Sequence, residues 1–346
     1  MTTDHAHATS LSLEPSLEPS LEPQVSRRAL LTRAVASAAL LCFPSLLRAQ
    51  ALAESTEPSQ ALIKKGNFAA IYSDELLRER FKLFLTNVYH LYPEEPFHKL
   101  ITTLSKRHSS DQEVYEGLLN ALPDLQPFLG SLRFALPALA EQKRMMLAQT
   151  LTLLNKRTTF ERYLSIGTTG RYYDDLGEAL SFERDPLFVS YQAPTYGLND
   201  VVERGQLSKM GEFYELADYL PLNAKIEPNS VDLMTVYIGF HHATLERREA
   251  FIASCARALK VGGVMIVRDH DVFSPEYDHL VALAHDVFNA GLGVSWRDNA
   301  AEVRHFTSVP DLTARLAQHG LSAVGPKLLQ PGDPTLNTLM RFDKLS

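Results

Sequence analysis

Three histidines carry the chemistry most directly readable from this sequence. His241 and His242 stand together after one apolar run, and Asp269-His270-Asp271 ends another. An imidazole titrates near neutrality, so it can take a proton from a phenol, an amine or an activated carbon acid. His241, His242 and His270 are therefore the candidate bases, and Asp269 or Asp271 can orient His270 by hydrogen bonding. The plain alternative for each is a histidine that points away or caps a helix. His270 and Asp271 have no further ligands at helical or loop spacing, so no metal is expected.

A second group suits ligand binding. Ser165-Ile166-Gly167-Thr168-Thr169-Gly170 follows an apolar run and precedes a helix. Glycines at such a turn let backbone approach a ligand, and the helix start offers free N–H groups. An ordinary tight turn would use the same residues. Further on, Val281, Leu283, Ala284, His285, Val287, Phe288 and Asn289 fall on one helix, followed by Gly291-Leu292-Gly293 and Trp296. An apolar wall with His285 and Asn289 as polar contacts fits a small-molecule pocket, with Asp271 and Trp296 beside it. A plain amphipathic helix explains the same pattern.

These residues need a scaffold. After Thr158, short apolar runs alternate with amphipathic helices, which predicts a mainly parallel α/β sheet. Strands are expected near Tyr163 to Ile166, Leu187 to Tyr191, Glu212 to Leu216, Val231 to Tyr237, Val264 to Arg268, Gly325 to Leu329 and Thr335 to Asp343. Pro331-Gly332-Asp333-Pro334 would fold the last two into a hairpin. Both histidine groups then lie at the carboxyl edge of the sheet, where ligands bind in open α/β folds. Residues 58–155 read as helices, with Phe81, Phe84, Leu85, Val88 and Leu91 at helical spacing and breaks at Pro93 to Pro96, Pro123, Pro127 and Pro137. This is a helical cap preceding a domain over 156–346.

Three segments together resemble the class I, Rossmann-like S-adenosylmethionine (SAM)-dependent methyltransferases. The turn at Ser165 to Gly170 is similar to the family's acid-x-Gly-x-Gly-x-Gly loop, with Ser165 in place of the acid. Asp218-Tyr219-Leu220-Pro221, then Ser230-Val231-Asp232-Leu233-Met234, then Gly239-Phe240-His241-His242 resemble its acid-x-x-x-Leu-Pro, Ser-Phe-Asp-Leu-Val and Leu-His-His segments, with Asp218 two residues before Leu220 where the family's acid stands four before. Leu259-Lys260-Val261-Gly262-Gly263 resembles its Leu-Lys-Pro-Gly-Gly turn, where the glycines serve as a helix C-cap.

The resemblance implies a seven-stranded sheet with SAM as cofactor. It would be held by Ser165, Gly167, Thr168, Thr169 and Gly170 at its methionine part and by Asp218 at the adenine amino group, with Tyr219 and Gly239 alongside. The family's acid that grips the ribose after its second strand is replaced here by Gln192, with Asp200 a distant substitute. The implied reaction is methyl transfer to a small, aromatic or apolar acceptor. A non-catalytic SAM-binding protein, or a helical partner-binding module with a vestigial fold, stands beside that reading.

Composition narrows the setting. The formal net charge of −7 over 346 residues is dispersed, with no basic stripe to follow a phosphate backbone, so nucleic acid is not an expected partner. Residues 1–53 combine Leu-Glu-Pro-Ser repeats with Ser26-Arg27-Arg28-Ala29-Leu30-Leu31, an apolar run to Leu47, and small-residue sites at Ala51 and Ala53. That order resembles a cleaved twin-arginine export signal, which implies the export machinery as a partner and a periplasmic location. An organelle transit peptide or a cytoplasmic N-terminal helix is the alternative. Removal of Cys42 with the leader would leave Cys255 unpaired, and no window is apolar and long enough to span a bilayer in the mature chain.

Overall fold

The computed structural model describes residues 66–125, 130–191, 193–195, 209–222 and 226–345. The leader with its arginine pair, Pro127, Gln192 and Asp200 lie outside the described residues.

Among the described residues four helices come first: α1 (Asn67–Tyr72), α2 (Glu75–Phe84, extended by a wider turn over Leu85–Tyr89), α3 (Glu94–Arg107) and α4 (Asp111–Leu125). A longer helix, α5 (Gly130–Leu154), follows. The chain then alternates through β1 (Thr159–Phe160), β2 (Tyr163–Ile166), α6 (Tyr173–Ala179), β3 (Ser181–Phe182), β4 (Leu187–Ser190), β5 (Glu212–Glu215), β6 (Val231–Val236), α7 (Leu245–Ala258) and β7 (Leu259–His270). It ends with α8 (Pro275–Gly291), α9 (Trp296–Ala300), α10 (Val309–Gln318), β8 (Leu321–Leu329) and β9 (Asn337–Lys344).

Seven strands form one sheet in the order β5-β4-β2-β6-β7-β9-β8. The first five are parallel, and β9 runs antiparallel to both β7 and β8. This is the expected Rossmann-like sheet with its antiparallel closing hairpin. The run Val231-Asp232-Leu233-Met234-Thr235-Val236 is buried throughout, as a central parallel strand covered on both faces requires. Alternate residues divide between the faces. Leu164, Ile166, Met234, Val236, Met265 and Val267 pack with α7 and α10, while Tyr163, Leu233, Val264 and Ile266 pack with Met146, Leu153 and Leu154 of α5.

Between β2 and β6 the chain reverses the direction in which it adds strands, and that is where open sheets leave a crevice at their carboxyl ends. Two expectations of local structure fail. Gly262 and Gly263 lie inside β7 and not at a helix cap, because α7 already ends at Ala258. The pairing passes from Val231↔Leu259 to Leu233↔Val264, so extra residues bulge from β7, and Gly262 takes a φ of +75° there. Pro123 and Pro137 do not break their helices but lie within α4 and α5. Each removes one backbone donor, a local loss that the rest of a long helix can absorb.

Helices α1 to α4 do not form a core of their own. Phe68, Ile71, Phe81, Phe97, Ile101 and Leu118 share one with Leu280, Leu283, Val287 and Phe288 of α8. Burying those four side chains contributes about 6–12 kcal/mol as an upper figure. α8 is thereby gripped along its apolar side, which fixes the direction of the polar side chains it carries.

Candidate active site

The end of β6 continues through Tyr237-Ile238-Gly239-Phe240 into His241 and His242, and β7 beside it ends on Asp269 and His270. His285 arrives from α8. Ring centroids lie 4.2 Å apart for His241 and His242, 5.3 Å for His241 and His285, 5.4 Å for His242 and His285, and 5.6 Å for His241 and His270. None of the four residues is more than 5% exposed. The structure thus brings together all three candidate bases and one candidate substrate contact.

Asp269 orients His241, not His270. Burial alone would raise its carboxyl pKa, but His241 and the Phe240 N–H hold it below the usual range, so it is ionised and can only accept. His241 Nδ1 therefore donates to Asp269 Oδ1 at 2.6 Å, and Phe240 N donates to Oδ2 at 2.8 Å. This leaves His241 Nε2, which makes no hydrogen bond, facing the cluster. Gly239 makes the arrangement possible: its φ is +74°, and a Cβ there would stand 2.7 Å from His241 Nδ1 and 2.8 Å from Asp269 Cγ.

His270 is held by the closing hairpin, Nδ1 donating to the Thr335 carbonyl at 3.1 Å while Asn337 Nδ2 approaches Nε2 at 3.5 Å. His242 Nδ1 lies 3.2 Å from the Val303 carbonyl. Burial, reinforced by neighbouring cationic groups, pushes His242 and His285 well below the ordinary imidazole pKa and His270 to about 3. These three are neutral at physiological pH.

A charged network that the motifs did not reveal backs the rings. Arg304 donates to Asp286 Oδ1 at 2.6 Å and to Glu302 Oε2 at 2.7 Å, and Asn289 donates to the same Glu302 oxygen at 2.9 Å. Asn299 and Asn67 complete Asp286, at 2.8 and 2.9 Å. Burial would depress Arg304, but Asp286 and Glu302 more than offset it and keep the guanidinium charged. Glu302 and Arg304 lie in a loop without a recognisable pattern. The available signal was on α8, where His285, Asp286 and Asn289 interrupt an apolar helix on adjoining positions.

A cavity of about 320 Å³ opens over this network, walled by Trp296, Asn299, Glu302, Arg304 and Phe306. The Phe306 ring lies 5.1 Å from that of His241 and 5.2 Å from that of His285, between the cavity and the imidazoles. A larger cavity of about 550 Å³ lies around Gly177 to Phe182 and contains none of these groups. Trp296 thus borders the pocket next to the cluster, and it also packs on Tyr115, with ring centroids 5.4 Å apart. Asn289 is spent on Asn299 and Glu302. Asp271 accepts from Val309 N at 2.7 Å, so its carboxylate anchors the start of α10.

The glycine turn has the expected conformation, with φ of +96° at Gly167 and +106° at Gly170. Ser165 and Thr168 hydrogen-bond each other at 3.1 Å, and both are buried with Thr169. A Cβ on Gly167 would overlap the side chain of Ile238, so this turn and the one leading to His241 touch directly. Asp218 follows β5 with φ 52° and ψ 43°. Its side chain is 70% exposed, and Oδ2 lies 3.8 Å from Arg247 Nη1. Tyr219 is core, its ring 5.0 Å from that of Phe251 and 6.1 Å from that of Tyr191.

No known family profile and no curated protein matches the chain. Among solved structures it is similar in fold to the 1,6-didemethyltoxoflavin-N1-methyltransferase of Burkholderia thailandensis, crystallised with 1,6-didemethyltoxoflavin and S-adenosylhomocysteine. That match has 12% identity and a TM-score of 0.40, over 68% of this chain and 92% of that one. The N-methyltransferase NodS of Bradyrhizobium japonicum matches at 14% identity and a TM-score of 0.40, over 59% and 87%. The CurJ carbon methyltransferase matches at 13% and 0.43, over 78% and 71%. Likeness of this degree assigns neither ligand nor reaction to this chain.

Proposed function

We propose that this chain is a SAM-dependent methyltransferase that transfers a methyl group to a small acceptor seated over the histidine cluster. The observation that carries the reading is the contact of the Gly167 turn with the Ile238 turn at the point where the strand order reverses. In the family that the sequence resembles, SAM lies along such a glycine turn. SAM placed there would have Asp218 on one side and His241 on the other.

Methyl transfer from a sulfonium is an in-line displacement, so the protein's part is to position the acceptor and take its proton. The cavity beside Phe306 offers aromatic walls, Trp296 and Phe306, together with polar groups, Asn299, Glu302 and Arg304. It suits an acceptor with a ring and a hydrogen-bonding edge. His241, oriented by Asp269, would supply the proton acceptor at Nε2 once the Phe306 ring, which lies between the cavity and the imidazoles, turns aside.

Single-turnover transfer from labelled SAM, run beside a calorimetric cofactor titration, tests this. His241→Ala should lose roughly 100- to 10,000-fold in rate with cofactor affinity retained. Wild-type rates in His241→Ala, His242→Ala and His270→Ala alike would remove the histidine base from the account. Gln192, standing where the family has its ribose carboxylate, favours a second reading as a SAM-binding protein without turnover. That reading predicts cofactor binding and no transfer. Export through the twin-arginine route belongs to the proposal on the strength of the Arg27-Arg28 segment.

A further inference from the structure

The histidine cluster has more in it than a base requires. His241, His242 and His285 each place one ring nitrogen within 4.8 Å of the other two, in the protein interior. His241 has its Nδ1 committed to Asp269, the carboxylate support that metal-binding imidazoles characteristically have, and its Nε2 makes no hydrogen bond. Glu302 repeats the pattern. Its Oε2 is saturated by Arg304 and Asn289, while Oε1 accepts no hydrogen bond and points at the cluster, 3.4 Å from His242 Nδ1 and 3.9 Å from His285 Nδ1.

We propose that His241, His242 and His285, backed by the Glu302 carboxylate, form a binding site for a divalent first-row transition ion. Three imidazoles are a donor set for zinc, iron, copper or nickel, and too nitrogen-rich for magnesium or calcium. Three nitrogens around a tetrahedral ion with bonds of about 2.0–2.1 Å stand roughly 3.3 Å apart, so the rings must close by about 1.5 Å at most. His270 is outside the set, since the Thr335 carbonyl and Asn337 occupy its two nitrogens. Phe306 covers the rings on the cavity side and would limit water at the ion.

Sequence spacing did not expose the site because the third imidazole comes from α8, far from the His241-His242 pair, and the carboxylate from a later loop. The inference stands independently of methyl transfer. If the chain is a methyltransferase, the ion would lie behind Phe306 as seen from the acceptor cavity and would order the imidazoles without meeting the acceptor. His241 Nε2 would then be a ligand in the loaded protein and a base only in the ion-free one.

The test is titration of chelator-stripped full-length protein with Zn²⁺ alone, followed by calorimetry and elemental analysis. One tight equivalent per chain is expected, retained in His319→Gln, a histidine outside the cluster. It should be lost in His241→Ala and His285→Ala and weakened roughly 10- to 100-fold in Glu302→Gln. X-ray absorption on Zn²⁺-loaded wild-type protein should find imidazole nitrogens at about 2.0–2.1 Å, which keeps the test alive if a variant fails to fold. Failure of folded wild-type protein to bind Zn²⁺ tightly would overturn the proposal. So would a first shell without imidazole, or an equivalent that persists in folded His285→Ala. SAM binding is measured separately on the same samples, so loss of one reading leaves the other intact.

Discussion

Replacing Asp269 with asparagine tests the internal logic of the site. The carboxylate accepts three N–H groups: Phe240 N at Oδ2, and His241 Nδ1 and His270 N at Oδ1. Asparagine has one acceptor oxygen. With that oxygen in the Oδ1 place it keeps two donors and leaves the Phe240 N–H facing an amide, at a cost of about 1–3 kcal/mol. The flipped amide would orphan two donors at about twice that cost, so the first orientation wins. The two bonds kept also lose their charge assistance, each about 1 kcal/mol, while the neutral side chain recovers some desolvation energy. The net expectation is a loss of about 2–3 kcal/mol, roughly 4–12 °C in Tm. Calorimetry reads the stability, and single-turnover transfer reads a drop in rate, because an imidazolium at His241 would have no counter-charge. An Asp269→Asn protein with wild-type Tm and wild-type rate would refute the assigned role of this carboxylate.

Gly239→Ala should act through the same pair: its Cβ would meet His241 Nδ1 and Asp269 Cγ inside 3 Å at a positive φ, so both Tm and Zn²⁺ affinity should fall, as measured by thermal shift with and without the ion. Acid should weaken the ion-free protein in a defined window. His242, His270 and His285 have folded pKa values depressed below the unfolded 6.5, so their contribution is complete above pH 6.5 and is lost as pH falls towards about 3 for His270. Each costs about 1.4 kcal/mol per pH unit in that range, or roughly 4 kcal/mol together at pH 5.5, and a Tm unchanged between pH 7.5 and 5.5 would contradict their neutral burial. Arg27→Lys with Arg28→Lys should retain the precursor in the cytoplasm on fractionation, whereas normal export of that variant would dispose of the twin-arginine reading.

The sheet was legible because central parallel strands are continuous apolar runs: Tyr163–Ile166 and Val231–Val236 stand where the pattern put them. The full length of β7 was not, since Gly262 and Gly263 look like a helix cap until the bulge against β6 is known. The two helices containing Pro123 and Pro137 were likewise obscured, because one lost donor is a local signal and helix continuity is decided by tertiary packing. His241, His242 and His270 were found by type and position at strand ends. Their partners were not, because the pairing of Asp269 with His241 depends on the register Val236↔Val267 and the arrival of His285 depends on how α8 is gripped by α1 to α4. Glu302 and Arg304 belong to a loop whose meaning exists only once it is folded against Asp286.

The central claim, that the Gly167 turn and Asp218 hold SAM, is tested most directly by calorimetric titration of the purified protein with SAM and with S-adenosylhomocysteine. The account predicts one site per chain for both ligands and stabilisation of about 2.7 kcal/mol at 100 times the dissociation constant. Affinity should be reduced in Asp218→Ala, whose exposed side chain leaves the fold intact. Absence of heat and of any thermal shift at millimolar concentrations of either ligand, in protein shown to be folded, would contradict it.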